Sequence, residues 1–238
     1  QVVVVGDSKQ LPPTSFFSAP ASDDEEKEEE FVTEGKESIL DLARTSFSPA
    51  RQLRWHYRSR HGSLIAFSNL HYYDNNLVVF PSPKEANEDL GVSLVEVKDG
   101  IYGSGLNEVE AQRVADAVIE HLRNRSHESF GVVAMNAAQS ERIQAVIYDR
   151  LKSEPDLLKR WDDAGASEPP FVKNLESVQG DERDVIYISV TYGPATPGGP
   201  VARRFGPING SSGWRRLNVL FTRAKRRIVV FASFGPEQ

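Results

Sequence analysis

Residues 177–190 read SVQGDERDVIYISV, a polar turn that runs directly into an apolar segment. Gln179-Gly180 predicts a tight turn, and the apolar run from Val185 to Val190 predicts a strand. Further strands are predicted at residues 2–5, 51–55, 92–97, 131–135 and 228–232. Predicted helices lie between them, at residues 37–45, 62–72, from 107 onward, at 138–152 and at 214–225. Because strands and helices alternate, the sequence predicts an α/β fold with a parallel sheet flanked by helices.

Three stretches interrupt this alternation. Residues 18–35 are polar and acidic, which predicts a disordered loop. Residues 155–170 end in two prolines and are predicted to be an irregular insertion, while residues 194–213 predict a loop rich in glycine and proline. Ligands of parallel sheets bind at the carboxyl ends of the strands, so we expect the functional residues in loops that follow strands.

Composition excludes several classes of protein. The 238 residues include no cysteine, which excludes disulfides and thiolate-bound zinc, and the five histidines form no tight metal-ligand pattern. No apolar run is long enough to cross a membrane. These features predict a cytoplasmic protein with no metal site of its own and no membrane association.

The net charge of −6 is concentrated in residues 21–30, which hold seven acidic side chains and one lysine. Two other segments lack acidic residues and carry only positive charge. They contain Arg44, Arg51, Arg54, Arg58 and Arg60, and Arg203, Arg204, Arg215, Arg216, Arg223, Lys225, Arg226 and Arg227. Such segregation indicates a polyanionic partner, either phosphate or nucleic acid, although two solvated basic faces would give the same pattern.

Two short segments combine residues suited to phosphate chemistry. Residues 6–13 read GDSKQLPP, in which the Gln10 amide can donate to a phosphate oxygen and accept from an attacking water. Residues 56–60 read HYRSR, in which Arg58 offers a planar fork of donors and Tyr57 a flat face for stacking. Core packing of Tyr57 and a solvated arginine are the plain alternative.

Two later segments add acids and a basic helix. In residues 177–184 the acidic side chains can receive a ribose hydroxyl or a metal-bound water, although acid-rich turns before strands are common. Residues 216–225 are predicted to be helical, which would place Arg216 and Arg223 two turns apart on one face. A basic helix alone is usually a solvated or anion-binding surface.

Taken together, the order and spacing of these segments closely resemble the superfamily 1 nucleic-acid helicases. The resemblance is strongest to the branch that typically moves 5′ to 3′ and includes nonsense-mediated decay factors. Residues 6–13 resemble the third motif of that family, 56–60 the fourth, 177–184 the fifth and 216–225 the sixth. The resemblance implies a RecA-like second helicase lobe, a P-loop NTPase fold that lacks the P-loop itself.

Individual roles follow from this resemblance. It implies that Gln10 contacts the γ-phosphate and attacking water, that Arg58 contacts the γ-phosphate, and that Arg223 is the arginine finger. Nucleotide-binding residues would be Tyr57 at the adenine, Glu182 at the ribose, and Asp7, Gly180 and Arg216. Nucleic-acid contacts would come from Pro12, Ser177 and Thr222. The ligands implied are ATP with Mg²⁺, and single-stranded DNA or RNA.

The sequence lacks a G-x-x-x-x-G-K-[ST] phosphate loop and an Asp-Glu pair on a strand to hold magnesium. In the family both belong to the N-terminal lobe, so ATP and Mg²⁺ would be bound mainly there. We therefore expect a piece of a longer, monomeric helicase that is inactive alone. Residues 1–17 would complete the first lobe, 18–50 form an acidic linker and short helix, and 51–238 form the second lobe.

Two alternatives remain at this point. The chain could be a non-catalytic nucleic-acid binding module that kept the fold but lost the motor. It could also be an interaction domain that docks partners through the acidic segment and the loop at residues 194–213.

Overall fold

The computed structural model describes residues 2–11, 38–82, 90–164, 168–235 and 237. Pro12, the acidic segment 21–30 and the predicted loop 18–35 lie outside the described residues. The chain divides into two compact units, Gln1–Leu53 and Arg54–Gln238.

The first unit contains one described helix. Helix α1 spans Ile39–Ser46, and its N-cap Ser38 accepts a hydrogen bond from the backbone N–H of Asp41. Such a cap satisfies one of the backbone donors that a helix start leaves open. The helix predicted at residues 37–45 is confirmed in its described part, although none of its residues is buried.

The strand predicted at residues 2–5 is not formed. Residues 2–7 lie in no strand, and Val2, Val3 and Val5 are 80%, 77% and 75% exposed. The apolar pattern is that of a buried strand, but a single strand is stable only when a neighbour supplies its hydrogen bonds. No strand in the described part of the first unit supplies them, so that prediction is wrong here.

The second unit is built on a five-stranded parallel sheet. Its strands lie in the order β3-β7-β6-β4-β5. They span Gly91–Glu96 (β3), Phe130–Ala134 (β4), Phe171–Asn174 (β5), Arg183–Ser189 (β6) and Ala224–Ala232 (β7). Two short strands, Trp55–His56 (β1) and Val78–Val79 (β2), pair with each other in a separate parallel sheet. The predicted fold class, a parallel sheet flanked by helices, is confirmed.

Both faces of the central sheet are covered at its inner strands β7, β6 and β4, whereas the edge strand β3 is exposed along most of its length. Side chains alternate between faces along a strand, and residues such as Val132 and Tyr187 join a core with helices α3 (Glu108–Asn124) and α4 (Ala137–Lys152). On alternate positions, residues such as Ile186 are also fully buried. Helix α2 (Ser63–Tyr72) packs against β7 and helix α6 (Gly213–Phe221). Burial of both faces explains why the strands read as continuous apolar runs.

The region predicted to be an irregular insertion contains a helix, α5, at Pro155–Asp163. Proline is tolerated in the first turn of a helix, where its missing N–H has no partner to lose, so Pro155 starts the helix. Leu157 and Trp161 are four residues apart and both are buried. Trp161 meets Phe130 edge-on at 5.7 Å between ring centroids. The prediction is therefore wrong for residues 155–163, and β5 was not predicted.

The helix predicted at residues 214–225 ends early. Helix α6 stops at Phe221, Thr222 caps it, and β7 begins at Ala224. The backbone N–H of Arg183 donates to the Arg223 carbonyl at 3.1 Å, so pairing with β6 takes over where the helix would continue. Arg216 and Arg223 consequently do not share a helix face, and that prediction is wrong.

A fully buried carboxyl group, that of Glu110 on α3, lies where β6 and β7 end. It accepts hydrogen bonds from Ser189 Oγ at 2.6 Å, Thr191 N at 2.6 Å and Ser233 Oγ at 2.9 Å. Thr191 has φ of 68°, a conformation unusual for a β-branched residue, which its bond to Glu110 helps to hold. Burial raises the pKa of Glu110 to about 7 despite these donors.

Glu110→Gln should flatten the dependence of stability on pH. The pKa of this carboxyl is raised from 4.5 to about 7 in the folded protein, so its stabilising effect is complete below pH 4.5 and lost as pH rises through 7. As pH rises from 4.5 to 7, the free energy of unfolding of the wild-type protein should fall by up to about 3 kcal/mol. The glutamine variant should not show this fall. Thermal unfolding at pH 5 and pH 8 measures the difference.

Glu108→Gln is the matched control on the same helix. Hydrogen bonds from Arg142 and then Gln112 lower the pKa of Glu108 to about 2, so its contribution is constant between pH 5 and 8. Its loss should lower the Tm equally at both pH values. An unchanged pH slope in Glu110→Gln would contradict the assignment.

Candidate functional site

The fourth, fifth and sixth motif-like segments meet at Arg58. Its Nη1 donates to the Thr222 carbonyl at 3.2 Å, and its Nε lies 2.6 Å from Glu182 Oε2. Arg58 follows β1, Glu182 precedes β6 and Thr222 precedes β7. Residues 164 positions apart in the sequence are therefore in direct contact.

The Arg223 side chain belongs to the same cluster and is only 4% exposed. Its Nε donates to the Val219 carbonyl at 2.8 Å, its Nη2 to Thr222 Oγ1 at 2.8 Å and its Nη1 to the Asp181 carbonyl at 3.4 Å. Arg58 and Arg223 thus both contact Thr222, one at its carbonyl and the other at its hydroxyl. We call Arg58, Asp181, Glu182, Thr222 and Arg223 the arginine cluster.

Two like charges lie close together in this cluster. Burial, and after it the positive charge of Arg58, lower the pKa of Arg223 to about 10, while Glu182 and Asp181 act in the opposite direction. The guanidinium stays protonated at neutral pH. An anion that reached both arginines would relieve their repulsion.

Thr222 accepts a hydrogen bond from each of the two arginines. It is buried, and its hydroxyl lies 2.9 Å from the carbonyls of both Asn218 and Val219 while accepting from Arg223. A threonine hydroxyl has one proton and two acceptor positions, so these neighbours fill most of its capacity. The structure therefore gives Thr222 the part of an anchor for Arg58 and Arg223.

The arginine cluster lies at the end of the central sheet where its parallel strands begin. Asp181 and Glu182 precede β6, and Thr222 and Arg223 precede β7. Because the strands are parallel, segments that precede them meet at the edge opposite to their carboxyl ends. The expectation that the functional residues follow strands is wrong for these four. Arg58 does follow a strand, but β1 belongs to the separate two-stranded sheet.

A lysine and a second glutamate extend the cluster. Lys225 Nζ lies 3.6 Å from Glu182 Oε1 and 2.5 Å from Glu168 Oε1. A hydrogen bond with Glu168 raises the pKa of Lys225, and hydrogen bonds from Lys225 and then Ser129 lower the pKa of Glu168. The sequence does not predict these contacts: it marks Lys225 only as one of the basic residues and as part of the sixth motif-like segment, and no local pattern marks Glu168.

Two further residues with predicted site roles in the second unit, Arg216 and Ser177, have partners outside the arginine cluster. Arg216 lies 2.6 Å from Glu176 and donates to Ser212 Oγ at 2.7 Å. Ser177 donates to Asn174 through both its N–H and its hydroxyl. These contacts orient the turn before β6 and do not include residues of the arginine cluster.

Tyr57 and Gly180 have conformations that fit a binding surface. The Tyr57 side chain is 86% exposed, so its ring presents a flat face to solvent. Gly180 has φ of +92°, which only glycine adopts without cost, and this allows the turn that presents Asp181 and Glu182.

Asp7 and Gln10 lie in the first unit, where they contact each other. Asp7 accepts from the N–H of Lys9 at 2.9 Å and from the Gln10 side-chain amide at 3.1 Å. These bonds shape the turn at residues 7–10. The nucleotide-binding roles implied for Asp7 and Gln10 remain predictions.

Within the described ranges, no group of three or more histidine or acidic side chains is placed to hold a metal ion. The helices in that part of the chain are also too short or too polar to span a membrane.

Residues 36–234 match a protein family described as an AAA domain. The chain belongs to this family. Together with the parallel sheet, this membership confirms the resemblance to the C-terminal, RecA-like domain of the superfamily 1 helicases.

Named relatives agree with this assignment. The chain is 37% identical over 242 residues to a protein of Mycoplasma genitalium named an uncharacterized ATP-dependent helicase, and 36% identical over 241 residues to its Mycoplasma pneumoniae homologue. Each match covers 96% of this chain but 20% of the relative. The chain thus spans a fifth of the length of these curated relatives.

One solved structure, described as the C-terminal domain of a possible DNA helicase from Lactobacillus plantarum, overlaps with a TM-score of 0.41 and 11% identity. The overlap covers 76% of this chain and 91% of that one.

Proposed function

We propose that this chain is the second motor lobe of an ATP-dependent superfamily 1 helicase or translocase. The observation that carries the proposal is the convergence of Arg58 and Arg223 on Thr222. Two guanidinium groups at one place suit the charge that develops on a phosphoryl group during transfer. Arg223 would act as the arginine finger and Arg58 would contact the γ-phosphate.

The rest of the nucleotide would be held around this pair. Tyr57 would stack on the adenine, and Glu182 would accept a hydrogen bond from the ribose. Gly180 would permit the turn that presents Glu182. Gln10 would position the attacking water, and Asp7 and Arg216 would each contact the nucleotide. Mg²⁺ and most phosphate contacts would come from an N-terminal lobe of the same protein.

Single-stranded DNA or RNA would be the track. The segment from residue 185 to residue 236 has no acidic residue and eight basic ones, which favours contacts to a phosphate backbone. Ser177 and Pro12 would contribute to them. Through its family resemblance we propose 5′-to-3′ movement by a monomer, and the lack of cysteine fits a cytoplasmic location.

The proposal is tested in the full-length protein. Its ATPase activity should rise on addition of single-stranded DNA or RNA, and the rise should weaken with salt because backbone contacts release counterions. Residues 1–238 alone should show no turnover, since they lack a phosphate loop. Absence of any ATPase activity in the full-length protein would refute the motor.

A non-catalytic nucleic-acid binding module is the second candidate. The observation in its favour is that Arg223 already donates to three acceptors within the chain, so it has a structural part without ATP. Such a module would bind single strands with an affinity that ATP does not change. The motor, in contrast, requires that ATP and ADP alter that affinity differently.

A further inference from the structure

The ion pair between Arg58 and Glu182 joins two side chains that ATP would separate. Arg58 Nε and Glu182 Oε2 lie 2.6 Å apart, and the proposed function, on which this inference rests, assigns the two side chains to different parts of the nucleotide, the γ-phosphate and the ribose. Arg58 must turn to the γ-phosphate while Glu182 stays for the ribose. When ATP binds, Glu182 therefore loses its nearest counter-charge.

Lys225 is placed to replace that charge. Its Nζ lies 3.6 Å from Glu182 Oε1, whereas Arg58 contacts the other oxygen, Oε2. The Glu182 side chain is 40% exposed, so a lone carboxylate there would be free to turn outward to water. The positive charge of Lys225 at the other oxygen would hold the Glu182 carboxylate in place when Arg58 leaves.

Lys225 is itself held in place on two sides. Its Nζ lies 2.5 Å from Glu168, which accepts from Ser129 Oγ at 2.6 Å, and its side chain is 22% exposed. Its backbone carbonyl accepts from the N–H of Arg60 at 2.7 Å, two residues after Arg58. Lys225, at the start of β7, therefore contacts both the segment that carries Arg58 and the Glu182 carboxylate that Arg58 would leave.

We propose that Lys225 is a positioning residue that keeps the Glu182 carboxylate aimed at the ribose after Arg58 has moved to the triphosphate. It acts through Glu182 and does not contact ATP. Its removal should affect recognition of the ribose hydroxyls and spare the chemical step. Lys225→Met retains the apolar stem and removes only the charge.

The test compares ATP with 2′,3′-dideoxy-ATP in the full-length helicase. Lys225→Met should raise KM for ATP about tenfold, the worth of a hydrogen bond to a charged group, with kcat changed less than about twofold. KM for the dideoxy analogue should not change, because that analogue has no hydroxyl to lose. Lys225→Arg, which keeps the charge, should restore most of the preference for ATP.

Lys173→Met is the matched control. Lys173 forms a similar ion pair, 2.6 Å long and partly buried, with the neighbouring Asp181 but not with Glu182. Its loss should leave the preference for ATP over the dideoxy analogue unchanged. Lys225→Gln is made in parallel, so that a folding failure in the methionine variant leaves a second uncharged side chain to measure.

Glu182→Gln separates this inference from the proposed function. If it leaves ribose preference intact, the negative charge of Glu182 plays no part and its role as a charged acceptor for the ribose is refuted, since a glutamine still has an acceptor oxygen. If it abolishes the preference while Lys225→Met does not, only the role of Lys225 is overturned. A lower kcat for Lys225→Met with normal ribose preference would also overturn it, and the double variant should be no worse than Glu182→Gln alone.

Discussion

Arg223→Ala in the full-length protein is expected to lower ATP turnover by about 10³- to 10⁵-fold, the range seen for arginine fingers in related NTPases. Nucleotide affinity should stay within about tenfold, because the finger's contact matters most while charge develops on the departing phosphoryl group. Arg58, which meets Arg223 at Thr222, would still provide a positive charge to bound ATP.

Single-turnover hydrolysis and direct nucleotide binding measure the two quantities separately. Arg223 also donates to the carbonyls of Val219 and Asp181, so thermal unfolding must show that the variant is folded. Arg150→Ala is the control, because Arg150 is partly buried on α4 and pairs with Asp116, away from the cluster. Loss of binding with normal turnover of bound ATP would refute the finger.

The sheet was predictable because its physical cause is local. Strands buried on both faces need apolar side chains at every position, and that pattern is visible in β4 and β6 without knowledge of their neighbours. The helix caps at Asn107 and Asn136 are local in the same sense. The confirmed elements are those whose local sequence pattern is enough to predict them, although pairing with neighbours stabilises the strands among them.

The wrong predictions concern features that depend on distant partners. Residues 222–225 have no strong helix breaker, and the helix ends there because β6 supplies strand hydrogen bonds to the next residues. The run at residues 2–5 has a strand pattern but no described strand to pair with. Pairing decides both cases, and a single segment does not reveal it.

The candidate site was predictable only in part, through the family's motif order. That order implied that Arg58 and Arg223 act on one nucleotide, and the structure brings both side chains to Thr222, while their roles stay predictions. The motif order did not indicate whether the two arginines lie at the N-terminal or the C-terminal ends of the strands, since this depends on strand direction and on the early end of α6. Nor did it indicate Glu168, which reaches Lys225 from 57 positions away in the sequence.

Trp161→Ala is expected to destabilise residues 1–238 by about 3–5 kcal/mol, the usual cost of removing a large buried aromatic side chain. Trp161 is buried in the core formed by α3, α4 and β4, and meets both Phe130 and Tyr148 edge-on. For a protein of this size the Tm should fall by roughly 10 °C.

Thermal and urea unfolding of the variant measure this loss, and Lys159→Ala provides the comparison on the same helix. Lys159 is exposed on α5, so its removal should change stability by no more than about 0.5 kcal/mol. Equal stability of the two variants would mean that α5 is a surface addition and not part of the core. A large difference would establish α5 as part of the core that supports β4. Because β4 pairs with β6, that core would also support the arginine cluster at the start of β6.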